Sequence, residues 1–297
     1  MNQYRKIIFG TLVISIIFYL ISTLIFDDTY ETPSIPDQRA QISDETKNLD
    51  PVVDVEPEKN NLSNQTHGWG FKKVSDHTTP QITSQQKALI DKYNVIFVTD
   101  ETKKEVVLTF DLGYEEGYTA QILDILKKHN TPATFFVTGA WLTNQNPQVD
   151  SKKLIKRMVR EGHLVGNHSW SHPSMPELDE EKFKMEIKKL EELIIKESGQ
   201  SSNIKYFRPP KGEFSERTLY LTNKLGYKTT LWSIALVDWL PMPGGPKEAI
   251  DGVINNLHNG AVILLHGKSK DVVEGLDEML TQIKQKGYKI VPLNKNH

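Results

Sequence analysis

The sequence predicts an α/β protein, a distorted TIM-like barrel of seven β/α units, carried behind a membrane segment and a stalk. Three observations support this. From residue 106 onward, short apolar runs rich in β-branched and aromatic residues alternate with charged amphipathic stretches, the pattern of parallel strands joined by crossover helices. The alternation recurs seven times, which suits a closed or nearly closed barrel better than an open sheet and leaves closure open. Several of the runs stop at a polar residue able to do chemistry.

The chain begins "MNQYRK", with Arg5 and Lys6, and continues through the uncharged run "IIFGTLVISIIFYLISTLIF" at 7–26. About 20 apolar residues at 1.5 Å each span a hydrocarbon core of about 30 Å. Basic residues before the run and "DDTYE" after it orient the N-terminus to the cytoplasm. Residues 1–26 are therefore expected to be a retained anchor, with the rest of the chain outside the membrane. A cleaved signal peptide is the alternative, which secretes the domain, but no small-x-small site follows Phe26. Residues 27–66 are polar, acidic and proline-dotted, with almost no aromatic side chain. Such a segment cannot offset its chain entropy by burial and reads as a disordered extracellular stalk. Residues 67–297 are left for one catalytic domain.

The strand runs are "VVLTFD", "ATFFVTG", "HLVGNHS", "YFRPP", "YKTTLWSI", "AVILLH" and "YKIVPL". Helical stretches lie between them. "YTAQILDILKKH" follows the first run and "SKKLIKRMVREG" the second. "DEEKFKMEIKKLEELIIKESG" is the longest, with Phe183, Ile187, Leu190, Leu193 and Ile194 on one stripe. "ERTLYLTNKLG" and "GLDEMLTQIKQKG" each end on a glycine placed to stop a helix.

A net charge of −2 gives no electrostatic case for nucleic acid as a partner. The chain has no cysteine, so disulfides, thiolate metal sites and a catalytic thiol are excluded, and any metal must be held by His, Asp or Glu. In a β/α barrel, chemistry gathers at the C-terminal ends of the strands. Those ends read Asp111, Asn167, His168, Arg208, Asp238 and His266. One Asp after a strand is more often a helix cap, and one His is more often a satisfied polar residue. Five strand ends doing this together point to an active-site mouth. His168 and His172, in "NHSWSHP", are four apart, which places two imidazoles on one side of a compact turn where they can share a metal.

Five segments, in order, resemble the motifs of the polysaccharide deacetylases, the NodB-type homology domain of carbohydrate esterase family 4. They are "TFDLGYE", "HSWSH", "RPPKG", "VDW" and "LLH", and the resemblance runs from Val106 to Leu293. "GWGFKKVSDHTTPQI" ahead of the barrel, together with "FDLGYEEGYT", resembles the subgroup that deacetylates N-acetylmuramic acid in peptidoglycan on the way to muramic delta-lactam in the spore cortex. On the residues alone, that preface also reads as a segment packing Trp69 and Phe71 over the barrel.

The resemblance implies a hydrolase acting on an amide. A divalent metal, typically zinc, is held through His168 and His172. Asp111 is the base that activates water, and Arg208 orients it and keeps it ionised. His266 protonates the leaving amine, and Asp238 holds its imidazole. Trp239 and Leu264 are expected to line the acetyl pocket, Tyr114 to offer a backbone N–H, and Pro210 and Gly212 to shape the third motif. Where the family has a second aspartate as metal ligand, this chain has Leu112. Three explanations stand: a weak or atypical metal site, substitution by Glu115 or Asn167, or a protein without a tight metal or without activity. The subgroup also tends to lack that aspartate. The expected partners are peptidoglycan glycan strands and, through the N-terminal helix, the membrane, with the protein a monomer. Deacetylation of N-acetylglucosamine, chitin-like polymers or xylan is one alternative, and a non-catalytic glycan-binding module is another. A muramate carboxylate wants a basic partner, for which Lys211, Lys72 and Lys73 are candidates.

Overall fold

The computed structural model describes residues 61–74, 76–199 and 204–293. The expected anchor at 7–26 and most of the expected stalk lie outside the described residues. Among the described residues no helix is long and apolar enough to cross a membrane.

The chain runs β1 (His67–Gly68), α1 (Ser84–Tyr93), β2 (Glu105–Leu112), α2 (Thr119–Lys128), β3 (Thr134–Val137), α3 (Gly139–Leu142), α4 (Ser151–Arg160), β4 (Leu164–Asn167) and α5 (Glu180–Ser198). It continues with β5 (Tyr206–Phe207), β6 (Glu213–Phe214), α6 (Glu216–Lys224), β7 (Lys228–Thr229), β8 (Ile234–Ala235), α7 (Gly245–Ile254), β9 (Ala261–His266), α8 (Lys270–Gln285) and β10 (Lys289–Val291). The strand order β7-β5-β4-β3-β2-β9-β8 is parallel throughout. β2 is long enough to share one edge, with β10 beside Glu105–Val107 and β3 beside Thr109–Leu112. This is the curled, distorted (β/α)7 barrel that the sequence predicts, and no pairing joins β7 to β8 among the described residues.

One expected strand is split. "YKTTLWSI" forms β7 and β8 rather than a single run. The physical reason lies between them, where the carbonyls of Thr230 and Leu231 accept hydrogen bonds from the Arg208 side chain at 3.2 Å each. The helices α1 and α7 are not predicted by the sequence pattern. Neither stretch shows a long apolar stripe, and α7 begins "GP" and contains Gly252, residues that weaken a helical reading.

Strand alternation sorts the core. Along β2, Val106, Leu108, Phe110 and Leu112 join the large cluster that packs against the helices. Val107 belongs instead to a separate cluster with Phe136, Tyr206, Val262 and Leu293, which fills the barrel interior. Side chains on a strand point alternately to its two faces, so Thr109 and Asp111 share the inward face with Val107. The same rule puts Val262, Leu264 and His266 of β9 inside.

The helices begin and stop on local signals. Asp179 caps α5 by accepting from the Lys182 N–H at 2.8 Å, and Gly199 closes it at φ 74°. A Ser215–Thr218 capping box starts α6, satisfying backbone N–H groups that the first turn leaves open. The chain ahead of the barrel is fastened to the third motif. β1 pairs antiparallel with β6, His67 opposite Phe214, and the Trp69 indole donates to the Trp232 carbonyl at 2.9 Å. Asn64 donates to the Pro176 carbonyl at 2.8 Å.

Candidate active site

The strand ends deliver Asp111, Asn167, His168, Arg208, Asp238 and His266 to one end of the barrel. Asp111 and His266 are directly opposite each other on neighbouring strands. A cavity of about 430 Å³ opens there, and its wall includes Asp111, His168, His172 and His266.

Arg208 is fully buried. Its Nη1 donates to Asp111 Oδ1 at 2.6 Å and to Thr109 Oγ1 at 3.0 Å. The guanidinium lies 4.1 Å from the centre of the Phe136 ring. Burial alone would raise the Asp111 carboxyl, but the Arg208 charge, helped by His168 and His266, prevails and holds it below the usual carboxylate range. Oδ1 is occupied by Arg208, which leaves Oδ2 to face the cavity.

His266 donates from Nδ1 to Asp238 Oδ1 at 2.7 Å, and its backbone N–H donates to Oδ2 at 2.8 Å. Asp238 is buried, so both of its oxygens are committed to orienting one imidazole. Burial would lower the His266 pKa, but the hydrogen bond and charge of Asp238 outweigh it and hold it above the ordinary value of 6.5. Its Nε2 is left for the cavity. The Trp239 ring meets the imidazole edge-on at 5.2 Å.

His168 and His172 come together with ring centres 4.8 Å apart. The loop achieves this with Ser169 and His172 in the left-handed region, at φ 66° and 59°, a conformation that non-glycine residues adopt at a cost of about 1 kcal/mol or more. Burial pushes His168 down and, with His168 beside it, His172 down to about 4. Both imidazoles are therefore neutral at neutral pH. His168 Nδ1 lies 2.7 Å from the Arg208 carbonyl, an acceptor only, so Nδ1 carries the proton and Nε2 a lone pair. That lone pair is 3.4 Å from Asp111 Oδ2. Two acceptors face each other there, an arrangement that a cation or a shared proton stabilises.

This donor chemistry fits a divalent metal in part. His168 and His172 supply two nitrogens, the first oriented by a carbonyl as metal-bound imidazoles are. Among the described residues no group of three His, Asp or Glu side chains is gathered to hold a metal. Leu112 is on the opposite strand face, fully buried in the helix-side cluster, and a Cβ added at Gly267 would lie 2.1 Å from its Cδ2. Glu115 is engaged by other partners. Its carboxylate accepts from the Gly117 N–H and the Trp141 indole, each at 2.7 Å, and from the Thr119 hydroxyl at the start of α2. Asn167 is also engaged, donating to the Ile187 carbonyl and accepting from the Ser169 N–H, each at 2.9 Å. Leu112→Asp is expected to bury an unpaired carboxylate among apolar side chains, at a cost of several kcal/mol. Thermal melting should show a large loss of stability, and calorimetry with zinc no gain in affinity.

Tyr114, Gly212, Trp239 and Leu264 stand on the cavity wall, whereas Pro210 does not and Pro209 takes that place. Lys211 is on the wall, but Lys72 and Lys73 are not. The sequence reading missed Thr109, Trp232 and Lys268. Thr109 was legible in principle, two residues before Asp111 and hence on the same strand face. Trp232 sits in the link between β7 and β8 and Lys268 on the turn after β9, and only the fold supplies their direction.

A family profile described as polysaccharide deacetylase matches residues 99–230. The Bacillus subtilis protein named peptidoglycan-N-acetylmuramic acid deacetylase PdaA is 43% identical over 76% of this chain and 84% of its own length. A Bacillus cereus peptidoglycan-N-acetylglucosamine deacetylase is 35% identical over 69% of this chain and 72% of its own. The solved structure of Bacillus subtilis PdaA, described as a family 4 carbohydrate esterase, superposes with a TM-score of 0.72 at 40% identity. It covers 78% of this chain and 96% of that one.

Proposed function

This chain belongs to the polysaccharide deacetylase family, whose members are hydrolases, and from that premise we propose that it removes the acetyl group from N-acetylmuramic acid in peptidoglycan. The observation that carries the reading is the pair of poised groups across the mouth, Asp111 held ionised by Arg208 and His266 held by Asp238. Two titratable groups whose surroundings push their pKa values apart are an acid and a base ready for use at one pH. The choice of muramate is supported by the activity that the 43% identical relative is named for.

Asp111 Oδ2 takes a proton from the attacking water as the water adds to the acetamide carbonyl. Arg208 keeps that carboxylate charged and aimed. His266, protonated at Nε2, gives its proton to the amine as the C–N bond breaks, and acetate leaves. Each correctly placed acid or base contributes about 10²–10⁴ in rate. The backbone N–H of Tyr114 at the rim is the chain's own candidate donor to the oxyanion. Trp239 and Leu264 shape the wall that receives the acetyl methyl. His168 and His172 would hold a divalent metal weakly, and such an ion when bound supplies Lewis-acid polarisation of the carbonyl.

The freed amine lies beside the lactyl carboxyl of the same sugar, so closure to muramic delta-lactam in spore cortex is the chemical continuation of this reading. The uncharged run at 7–26 behind Arg5 and Lys6 supports a chain tethered to the membrane with its catalytic domain outside the cell. The full chain should be incubated with peptide-stripped glycan strands, metal-free and with added zinc, and the mass per disaccharide followed. Loss of one acetyl from muramate is expected, and a further loss of water would place ring closure in the same protein. Loss from N-acetylglucosamine alone would favour the other deacetylase specificity. No loss on either sugar would favour a glycan-binding module.

A further inference from the structure

The mouth carries a charge that deacetylation itself does not need. The chain as a whole has a net charge of −2, yet Lys211 and Lys268 both stand on the wall of the catalytic cavity. They come from different strand ends, Lys211 after β5 and Lys268 two residues beyond His266 on β9. Among the described residues neither forms an ion pair. The one carboxylate on that wall is Asp111, and it is already matched by Arg208 at 2.6 Å. The mouth is thus positive by two lysine charges.

Lys211 is also held against its backbone preference, at φ 58°, in a turn clamped by Trp69, whose backbone N–H donates to the Gly212 carbonyl at 2.9 Å. A lysine forced into the left-handed region costs stability that glycine or asparagine would save. The turn therefore presents a cation at a fixed place on the rim, close enough to His172 to disfavour its protonation.

We infer that Lys211 and Lys268 form a carboxylate-reading pair that selects sugars bearing a free 3-O-lactyl carboxylate beside the acetamide. This rests on the muramate reading above and deepens it. The lactyl group is on the ring carbon next to the one carrying the acetamide, so a substrate seated for attack brings its carboxylate to the same mouth. In peptide-bearing strands that carboxyl is an uncharged amide, and in N-acetylglucosamine the position is a hydroxyl. One pair of cations then disfavours both, because neither the amide nor the hydroxyl supplies the counter-charge that the lactyl carboxylate brings. A neutral polymer such as chitin gains nothing from them.

The test compares acetate release by the full chain from peptide-free strands with free lactyl carboxylates and from the same strands methyl-esterified. Wild-type kcat/KM should favour the acid at least tenfold. Lys211→Met combined with Lys268→Met should collapse that ratio towards one, with the loss falling on KM. Arginine at both positions should restore it, because the charge and not the lysine shape is read. Lys247→Met, on α7 and off the cavity wall, should leave the ratio where it was. A double variant that keeps the wild-type ratio, or loses acid and ester turnover equally, overturns the assignment. Wild-type protein that deacetylates N-acetylglucosamine oligomers but neither form of muramate strand would overturn the muramate reading instead, and the lysine pair with it.

Discussion

Asp111→Asn should lower kcat by about 10²–10⁴, the range that a placed general base contributes. The amide still accepts from Arg208 at Oδ1 but cannot take the proton that Oδ2 takes in the wild type. The change also reaches stability. Arg208 is fully buried, and although Thr109, Thr230 and Leu231 continue to receive three of its hydrogen bonds, its counter-charge is gone. Removing one partner of a buried ion pair outright costs about 3–5 kcal/mol, and an isosteric amide that keeps one acceptor should cost less than that. For a domain of this size each kcal/mol is worth roughly 2–4 °C in Tm. Turnover and melting should therefore be measured on the same preparation, well below the variant's Tm. A cooperative folded variant with more than a tenth of wild-type kcat would refute the assignment of Asp111 as base.

Asp238→Asn should both slow the reaction and move its pH profile. Protonated His266 is the acid form, and its pKa is raised because Asp238 outweighs burial. With that charge removed, only Asp111 still opposes burial and the pKa falls. The alkaline limb of kcat/KM, above 6.5 in the wild type, should shift to lower pH, so that the loss grows as pH rises through neutrality. The acid limb reports Asp111, which is depressed by Arg208, and should stay below the ordinary carboxylate range. An amide at 238 also turns an N–H₂ towards one of the two donors of His266 and so disturbs the tautomer. A loss of about 10²–10⁴ at neutral pH is expected on that ground. An alkaline limb that does not move would mean that His266 is not the titrating acid.

Much of this was legible in the residues. The periodicity gave β2, β3, β4, β9 and the helices α2, α4, α5 and α8, because apolar faces must be buried wherever they occur. The strand-end rule picks out Asp111, His168, Arg208, Asp238 and His266 from the residues alone. It also picked Asn167, which the fold uses to brace α5 and the turn at Ser169, because a polar residue at a strand end looks the same in sequence whether it faces the cavity or the backbone behind it. The period of two could have placed Leu112. Once Asp111 faces inward, its neighbour must face the helices, and the apolar residue there suits that address.

What the sequence determined alone is therefore the alternation of elements, the inward or outward face of each strand residue, and the chemical types gathered at the strand ends. Each follows from local geometry and the burial of apolar surface. Tertiary structure alone decided that Glu115 reaches Trp141 and the Thr119 hydroxyl, and that Arg208 splits one expected strand into β7 and β8. It also brought Lys211 and Lys268 to the same mouth as Asp111. These depend on where turns send their side chains and on which distant backbone group is left to accept a hydrogen bond, and partners that far apart in the chain leave no periodic trace in the sequence.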